Sequence, residues 1–297
     1  MENSPNDRKS ILMMVSSMLI FGTIGIFRKY IPVPSAFLAF FRGILGGLCI
    51  LAFIRLRKKK TGAGIPFRTV LWLAVTGALI GINWMLLFEA FNHTTVAVAT
   101  LCYYMEPTIV MLLSPVFFKE KLTCKKGICA VAAIIGMVLV SGVIGDSGAP
   151  DGNIRGVLLG LGAAVFYSAV VIMNNRIRGI DAYQKTAVQL LSAGTVMIPY
   201  LLLTNGFRGE GFSTTAVILL VIVGIVHTGI AYVLYFGSMD GLRVQTVAIL
   251  GYIDPVSALL FSALLLREPL SLPNIIGAVM IIGSAVICEI PKTGKTE

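Results

Sequence analysis

Two stretches of this sequence share one pattern at positions 148 residues apart. The first is Tyr104-Met105-Glu106-Pro107, followed by Lys119-Glu120-Lys121-Leu122-Thr123. The second is Tyr252-Ile253-Asp254-Pro255, followed by Arg267-Glu268-Pro269-Leu270-Ser271. The offset is about half of the 297-residue chain, and self-similarity at a fixed offset is the sequence signature of an internal repeat. We therefore predict two halves of one design.

The composition excludes a water-soluble globule. Hydrophobic residues make up 57% of the chain, charged residues make up 13%, and the mean hydropathy is +0.89. Soluble domains carry about 25% charged residues. The 31 glycines are spread through apolar stretches, as in packed membrane helices. The sequence therefore predicts an integral membrane protein whose solvent is the lipid bilayer.

Charges and turn residues divide the chain into apolar runs that can cross a bilayer, which requires about 20 residues per helix. We predict an all-α membrane protein with ten transmembrane helices. They cover 11–27, 35–54, 70–91, 96–118, 127–144, 156–175, 182–204, 216–237, 245–266 and 273–288. Two repeats of five helices follow, one over 1–145 and a second over 154–290, with a short cytoplasmic tail at 291–297. Because five is odd, the second repeat is expected to be inverted.

The net charge of +10 would suggest a nucleic-acid partner in a soluble protein. With the N-terminus inside, however, 18 of the 24 Lys and Arg residues fall on the cytoplasmic side, five fall on the other side, and Arg42 lies within a span. Such an imbalance sets membrane orientation. We therefore expect both termini in the cytoplasm and no nucleic acid. No cleavable signal is visible, which favours a multi-pass protein of the bacterial inner membrane.

Inverted repeats recur in secondary transporters, whose substrate site lies between the repeats near the middle of the membrane. Duplication that merely enlarges a membrane scaffold is the alternative interpretation. The repeat therefore predicts a carrier for a small-molecule substrate.

The same residues resemble the EamA-type members of the drug/metabolite transporter superfamily. The resemblance covers nearly the whole chain and includes the tyrosine-x-acid-proline elements, the Glu-x-Leu-Thr/Ser turns and an arginine in the second span, here Arg42. It implies transport of small metabolites such as amino acids by alternating access around a central cavity. It also implies that segments 127–144 and 273–288 are peripheral. Gln189 is the nearest counterpart of Arg42 in the second half, so the arginine is not duplicated.

Three ionisable residues lie deep within predicted spans: Arg42, Glu106 and Asp254. Such groups are costly in a bilayer and usually face a bundle interior or a water-filled cavity. Together they carry a net charge of minus one, which a proton or a cationic group of the substrate can neutralise. We hypothesise that Glu106 or Asp254 titrates during transport. In the structural alternative, Arg42 pairs with one acid and the other acid caps a broken backbone.

Polar and aromatic residues near these acids are predicted to line the substrate site, since aromatic walls with a few polar groups suit an amphipathic solute. The candidates are Asn83, Trp84, Tyr103, Tyr104, Tyr232 and Tyr252. Packing or anchoring at the membrane interface is the alternative for the aromatic residues. His227 is a candidate for proton relay, and a buried histidine with satisfied hydrogen bonds is the alternative.

The sequence favours an exporter of amino acids or related solutes, with protons as a candidate coupling ion. A passive channel is the nearest alternative. An intramembrane aspartyl enzyme built on Asp240 and Asp254 is disfavoured, because Asp240 lies at a loop edge. No nucleotide-binding loop or zinc-protease motif is present, and the five cysteines and two histidines lack metal-ligand spacing. We therefore expect no enzyme activity, no cofactor and no metal. Either a monomer or a homodimer is compatible with the sequence.

Overall fold

A computed structural model describes residues 5–57, 65–119, 122–141, 151–207, 212–239 and 241–289. Every regular secondary-structure element in these residues is a helix. Fifteen α-helices and one π-helical segment, Val223–Ile230 between α11 and α12, follow one another along the chain. The α-helices are α1 (Pro5–Gly22), α2 (Ile24–Lys29), α3 (Ser35–Leu56), α4 (Phe67–His93), α5 (Val96–Tyr103), α6 (Glu106–Phe117), α7 (Cys124–Val140), α8 (Asp151–Asn175), α9 (Ala182–Thr195), α10 (Met197–Leu203), α11 (Thr214–Ile222), α12 (Ala231–Met239), α13 (Val244–Gly251), α14 (Ile253–Leu265) and α15 (Leu272–Glu289).

Each of the ten predicted segments coincides with helix in the described residues. Eight helical stretches are long and apolar enough to cross a membrane by themselves, and Leu272–Cys288 is a shorter apolar helix. α7 has 17 residues and falls just short of that length. The total of ten therefore stays a prediction. The predicted tail 291–297, Glu120 and Asp240 lie outside the described residues.

Three segments are broken where a proline leaves a carbonyl without a partner. A proline has no N–H to donate to the carbonyl four residues earlier. Pro107 follows Tyr103, the last residue of α5, by four positions, and Pro255 follows the end of α13 at Gly251 by the same distance. Pro199 has this relation to the end of α9. The breaks before α6, α14 and α10 are thus consequences of the sequence.

The first segment is also interrupted, at Thr23 between α1 and α2. A further irregularity is the π-helical segment Val223–Ile230, which joins α11 to α12 within one continuous helix. Its wider turn is shown by the backbone N–H of Ala231, which donates to the carbonyl of Val226 five residues earlier. The hydroxyl of Thr228 also donates to the carbonyl of Val223 at 3.2 Å. π-helical turns are rare, and they are frequently found at functional sites. The side chains of His227 and Thr228, which belong to this segment, are both buried.

Most of the packing joins the first half of the chain to the second. α3 packs against α9 and α7 packs against α15, which pairs the second and the fifth segments of the two halves. α1 packs against α12 and α14, and α8 makes the corresponding contacts with α4, α5 and α6. α3 contacts the π-helical segment as α9 contacts α4. The main contacts are therefore reproduced when the two halves are exchanged.

Glycines allow the two halves to approach closely, most clearly where α3 meets α9. A Cβ atom at Gly43 would lie 2.6 Å from the backbone nitrogen of Gly194 and 2.8 Å from the carbonyl oxygen of Leu190. Backbone atoms cannot move aside as the end of a flexible side chain can. Gly136 and Gly277 have the same role between α7 and α15, where the added atom would meet the carbonyl of the partner glycine. Small residues at such contacts let helix backbones pack directly.

We expect Gly43→Val to destabilise the bundle, because its side chain must push α9 away from α3. Overpacking of this kind costs about 1–3 kcal/mol. Thermal unfolding of the purified protein in detergent should show a midpoint several degrees lower than that of the parent chain. Gly283→Val is the matched control, since nothing lies within 4 Å of a Cβ atom at Gly283. Equal midpoints for the two variants would contradict the role of Gly43.

Candidate functional site

A cavity of about 290 Å³ lies at the centre of the bundle, where broken helices meet. The α1–α2, α5–α6 and α13–α14 breaks all contribute to its wall. The lining includes eight of the ten residues that the sequence predicted for the site, namely Arg42, Trp84, Tyr103, Tyr104, Glu106, Tyr232, Tyr252 and Asp254. The structure therefore gathers residues from both halves of the chain around one space.

The two tyrosine-x-acid-proline elements are joined to each other across the cavity. The hydroxyl of Tyr104 donates a hydrogen bond of 2.6 Å to the carboxylate of Asp254. Tyr104 lies in the break between α5 and α6, and Asp254 lies in the first turn of α14. The contact connects the break in the first half to the break in the second. It gives the carboxylate of Asp254 a fixed donor in the bundle.

Arg42 is held by an aromatic ring and by the π-helical segment. Its guanidinium carbon lies 4.0 Å from the centre of the Trp84 ring, a distance typical of a cation–π contact. Its Nε donates to the hydroxyl of Thr228 at 2.8 Å. No described carboxylate lies within 4.0 Å of the guanidinium, and no described residue accepts a hydrogen bond from its Nη atoms. Arg42 thus does not form the ion pair with an acid that the structural alternative required.

Glu106 begins α6 and lies in the wall of the cavity. Its backbone carbonyl accepts a hydrogen bond of 3.3 Å from Ser168 of α8. The residue therefore lies at the contact between the first half and the second. A helix N-terminus carries partial positive charge, which interacts favourably with a carboxylate in the first turn. Asp254 has the equivalent place at the start of α14.

Tyrosine dominates the aromatic part of the wall, since six of the nine tyrosines in the chain line the cavity. The sequence interpretation did not include Tyr167 or Tyr235. The Tyr167 ring centre lies 5.7 Å from that of Tyr103, and Tyr235 shares a helix face with Tyr232 three residues earlier. That spacing was available in the sequence, whereas the position of Tyr167 depends on how α8 packs against α5.

Asn83 and His227 lie outside the cavity lining. Asn83 is fully buried between α4 and α8, where its Nδ2 donates to the carbonyl of Ala163 at 2.6 Å. His227 contacts the hydroxyl of Thr23 through Nε2 at 2.8 Å and packs against the ring of Phe27. Asn83 thus joins α4 to α8, and His227 joins the π-helical segment to the α1–α2 region. Neither side chain belongs to the cavity lining.

One end of the bundle, which we call the Glu268 end, is closed by contacts between the halves. Glu268 forms an ion pair of 3.4 Å with Lys29, accepts from the backbone nitrogen of Val96 at 2.8 Å, and accepts from the hydroxyl of Ser262. Lys29 also donates to the carbonyl of Thr94 at 3.2 Å. One carboxylate therefore links the end of α2, the start of α5 and the end of α14.

The opposite end of the bundle, which we call the Lys126 end, is arranged differently. At the Glu268 end, α5 packs against α14. Toward the Lys126 end, α6 packs mainly against α7 and α8, and α13 packs mainly against α1, α14 and α15. The two broken segments are thus held together at the Glu268 end and diverge toward the Lys126 end.

The family of the chain follows from two matches to a single family model. The model of the EamA-like transporter family matches residues 8–142 and again residues 154–288. The chain belongs to the EamA-like transporter family. Because one model matches each half, the internal repeat inferred from the 148-residue offset is also a repeat of the family's sequence pattern.

Relatives of this EamA-like chain extend over most of its length. It is 28% identical to "Uncharacterized transporter YxxF" of Bacillus subtilis (strain 168), over 99% of this chain and 93% of the relative. It is also 28% identical to "Protein PecM" of Dickeya dadantii (strain 3937), over 77% of each protein. A solved crystal structure superposes with a TM-score of 0.65 at 21% identity and covers 94% of this chain and 96% of its own. That likeness concerns the fold alone.

Membership in the EamA-like family makes this chain a multi-pass membrane transporter with a small-molecule substrate. The family and its relatives are named as transporters, which form a class distinct from enzymes. Within the described residues, no group of three or more His, Cys, Asp or Glu side chains is placed to hold a metal ion. The ionisable side chains that line the central cavity are those of Arg42, Glu106, Asp254 and six tyrosines.

Proposed function

We propose that this chain is a secondary active transporter that exports small amphipathic solutes, most readily amino acids, by alternating access. The observation that carries the proposal is the placement of a cation, two acids and a tyrosine wall around one cavity at helix breaks. Helix breaks at the middle of the membrane are the usual construction of carrier sites. In this mechanism the solute would pass between the two halves of the chain.

The proposed recognition uses groups of opposite charge in the wall of one cavity. The Nη atoms of Arg42 are available for a carboxylate, because Nε and the face of the guanidinium are already engaged by Thr228 and Trp84. Glu106 and Asp254 are suited to an ammonium group or a proton. The tyrosine rings offer an apolar surface with hydroxyl groups at its edge. A zwitterion with an apolar side chain offers a carboxylate to Arg42, an ammonium group to the acids and an apolar group to the tyrosine rings.

Proton coupling follows from the charge balance of the same residues. Arg42, Glu106 and Asp254 would carry a net charge of minus one, and a bilayer interior disfavours an uncompensated charge. A solute that brings no net charge leaves this excess in place. Protonation of one of the two carboxylates, Glu106 or Asp254, would remove it, and we propose that one of the two titrates during transport.

For the architecture we propose ten spans in two inverted five-helix repeats, over 1–145 and 154–290, as a monomer or a homodimer. The exchange of contacts between the halves supports this arrangement. The excess of Lys and Arg supports placing the Lys126 end and both termini at the cytoplasm of the inner membrane. In that orientation the closed Glu268 end would face outward, which supports our assignment of this arrangement to an inward-facing state of the proposed cycle.

Glu268→Ala should release the closed end. The substitution removes the ion pair with Lys29 and the acceptor for the Val96 N–H, which together link α2, α5 and α14. A cysteine placed at Phe91, a buried position that lines the cavity, reports this opening. In Glu268→Ala we expect this cysteine to react with an impermeant maleimide about tenfold faster than in the chain that keeps Glu268, because charge-assisted hydrogen bonds are lost. The control is Glu89→Ala, because Glu89 lies at the same end but bonds to Ser35 and His93 within the first half. Equal labelling rates in the two variants would contradict the role of Glu268.

Counterflow in proteoliposomes tests the proposed function directly. Vesicles loaded with an unlabelled amino acid should take up the same labelled solute transiently above its external concentration, and the uptake should saturate. A passive channel gives equilibration without overshoot, which separates it from a carrier. Amino acids, nucleobases and amines should be screened in the same assay. Absence of counterflow for every amino acid would refute the proposed substrate class.

A further inference from the structure

A second cavity, of about 390 Å³, adjoins the central one. It lies between α6, α7, α8 and α15, and it reaches the Lys126 end at Phe118, Lys126 and Asn175. Glu106 and Pro107 line both cavities. The start of α6 therefore separates the two cavities and forms the partition between them. Glu106, a carboxylate of the proposed mechanism, lies in the wall of both cavities.

The charged residues of this second cavity lie far apart along α6. Glu106 begins the helix, while Lys126 follows the turn beyond its end at Phe117. The 12 residues of α6 correspond to about 18 Å at 1.5 Å per residue. A solute as small as an amino acid is shorter than this distance, so it would meet Lys126 and Glu106 one after the other.

Between the two charges the wall is amphipathic. Val110, Met111 and Val171 supply apolar surface. Ser114 and Ser284 each donate a hydrogen bond of 2.9 Å to a carbonyl of their own helix, so their oxygens still have lone pairs to offer as acceptors. This combination of mostly apolar lining and a few polar groups is the usual composition of a small-molecule site.

We propose that the second cavity is a loading site in which a zwitterionic amino acid with an apolar side chain binds before it reaches Glu106. Lys126 attracts the carboxylate at the mouth, and Glu106 receives the ammonium group at the partition. This inference rests on the proposed function and adds a route to it. It also brings α7 and α15 into the path, whereas the family resemblance implied that these two segments are peripheral.

Native cysteines make the loading site accessible to experiment, since Cys288 lines the second cavity and Cys124 is exposed outside it. Two single-cysteine chains, one retaining Cys288 and one retaining Cys124, should be reconstituted in nanodiscs and labelled with a small water-soluble methanethiosulfonate. We expect both to react. L-leucine or L-phenylalanine at about ten times its dissociation constant should slow labelling of Cys288 about tenfold by mass action and leave Cys124 unchanged.

A matched pair of variants on α15 tests whether the cavity lies on the transport path. Ser284→Phe fills the second cavity, whereas Gly283→Phe adds the same side chain where a Cβ atom meets nothing within 4 Å. We expect Ser284→Phe to slow counterflow about tenfold or more, since entry would become limiting, and Gly283→Phe to stay within about twofold of the parent chain.

The outcomes separate the loading site from the proposed function. Absence of amino-acid counterflow in the parent chain refutes the proposed function and this route with it. Counterflow in the parent chain without protection of Cys288 refutes the loading site alone, and so does failure of the reagent to reach Cys288. Protection of Cys288 together with loss of counterflow in Ser284→Phe supports the loading site.

Discussion

Glu106→Gln is expected to lower counterflow by about 10- to 100-fold, the effect of removing a charged hydrogen-bonding partner worth about 1.5–3 kcal/mol. Glutamine keeps the size and polarity of the side chain but can neither carry a charge nor release a proton. In the proposed mechanism the ionised Glu106 receives the ammonium group of the solute, and Glu106 is one of the two carboxylates that can hold the proton that offsets the excess negative charge. If Glu106 is the carboxylate that titrates, the variant should also lose the dependence of transport on external pH.

Asp254→Asn is the matched comparison, because the asparagine Oδ1 can still accept the hydrogen bond from Tyr104. If Asp254 mainly joins the two broken segments, its substitution should reduce the rate less than that of Glu106 and leave the pH dependence in place. Tyr104→Phe should then resemble Asp254→Asn. Unchanged rate and pH dependence in Glu106→Gln would remove Glu106 from the mechanism.

The sequence was sufficient to predict the positions of the apolar helical segments. Apolar runs bounded by charges define the segments, and the prolines at 107, 199 and 255 account for the breaks through a carbonyl that lacks a donor. The same local logic identified Glu106 and Asp254, since a carboxylate beside a proline within an apolar run is recognisable without knowledge of the fold.

Contacts between the two halves could not be predicted in the same way. The 2.6 Å bond between Tyr104 and Asp254 joins residues 150 positions apart, and nothing local specifies it. Asn83 looked like a site residue because it interrupts an apolar run, yet α4 is buried against α8 on that face and the amide binds the Ala163 carbonyl. Because α4 is packed on several sides, its sequence has no single polar face that shows which side lines the cavity.

Arg42 shows most clearly the difference between local features, which the sequence predicts, and contacts between the halves, which it does not. Its depth in the second span was predictable, but the sequence left open whether it pairs with an acid. The structure instead supplies Trp84 from α4 and Thr228 from the π-helical segment, and π-helical geometry has no reliable sequence signal. The guanidinium is thereby oriented without use of its Nη atoms, which is the observation that supports a carboxylate site.

Arg42→Lys is expected to weaken carboxylate recognition while leaving amine recognition in place. Lysine keeps the positive charge but lacks the planar fork that binds a carboxylate at two points, and it cannot donate to Thr228 while remaining stacked on Trp84. We expect the counterflow KM for L-leucine to rise about 10- to 100-fold, in proportion to the loss of a charge-assisted pair. The KM for 3-methylbutylamine, which is leucine without its carboxylate, should stay within about twofold wherever it is transported.

Arg57→Lys is the matched control for this experiment. The guanidinium of Arg57 lies 4.8 Å from the centre of the Tyr183 ring and 4.0 Å from the carboxylate of Asp181, but Arg57 does not line the central cavity. Both substitutions therefore remove an arginine stacked on an aromatic ring, and only one of the two removes a group that can reach the solute. A selective rise in the leucine KM for Arg42→Lys assigns the carboxylate to Arg42. An equal rise in both variants, or an equal loss of leucine and amine transport in Arg42→Lys, would instead reduce Arg42 to a residue that holds α3, α4 and the π-helical segment together.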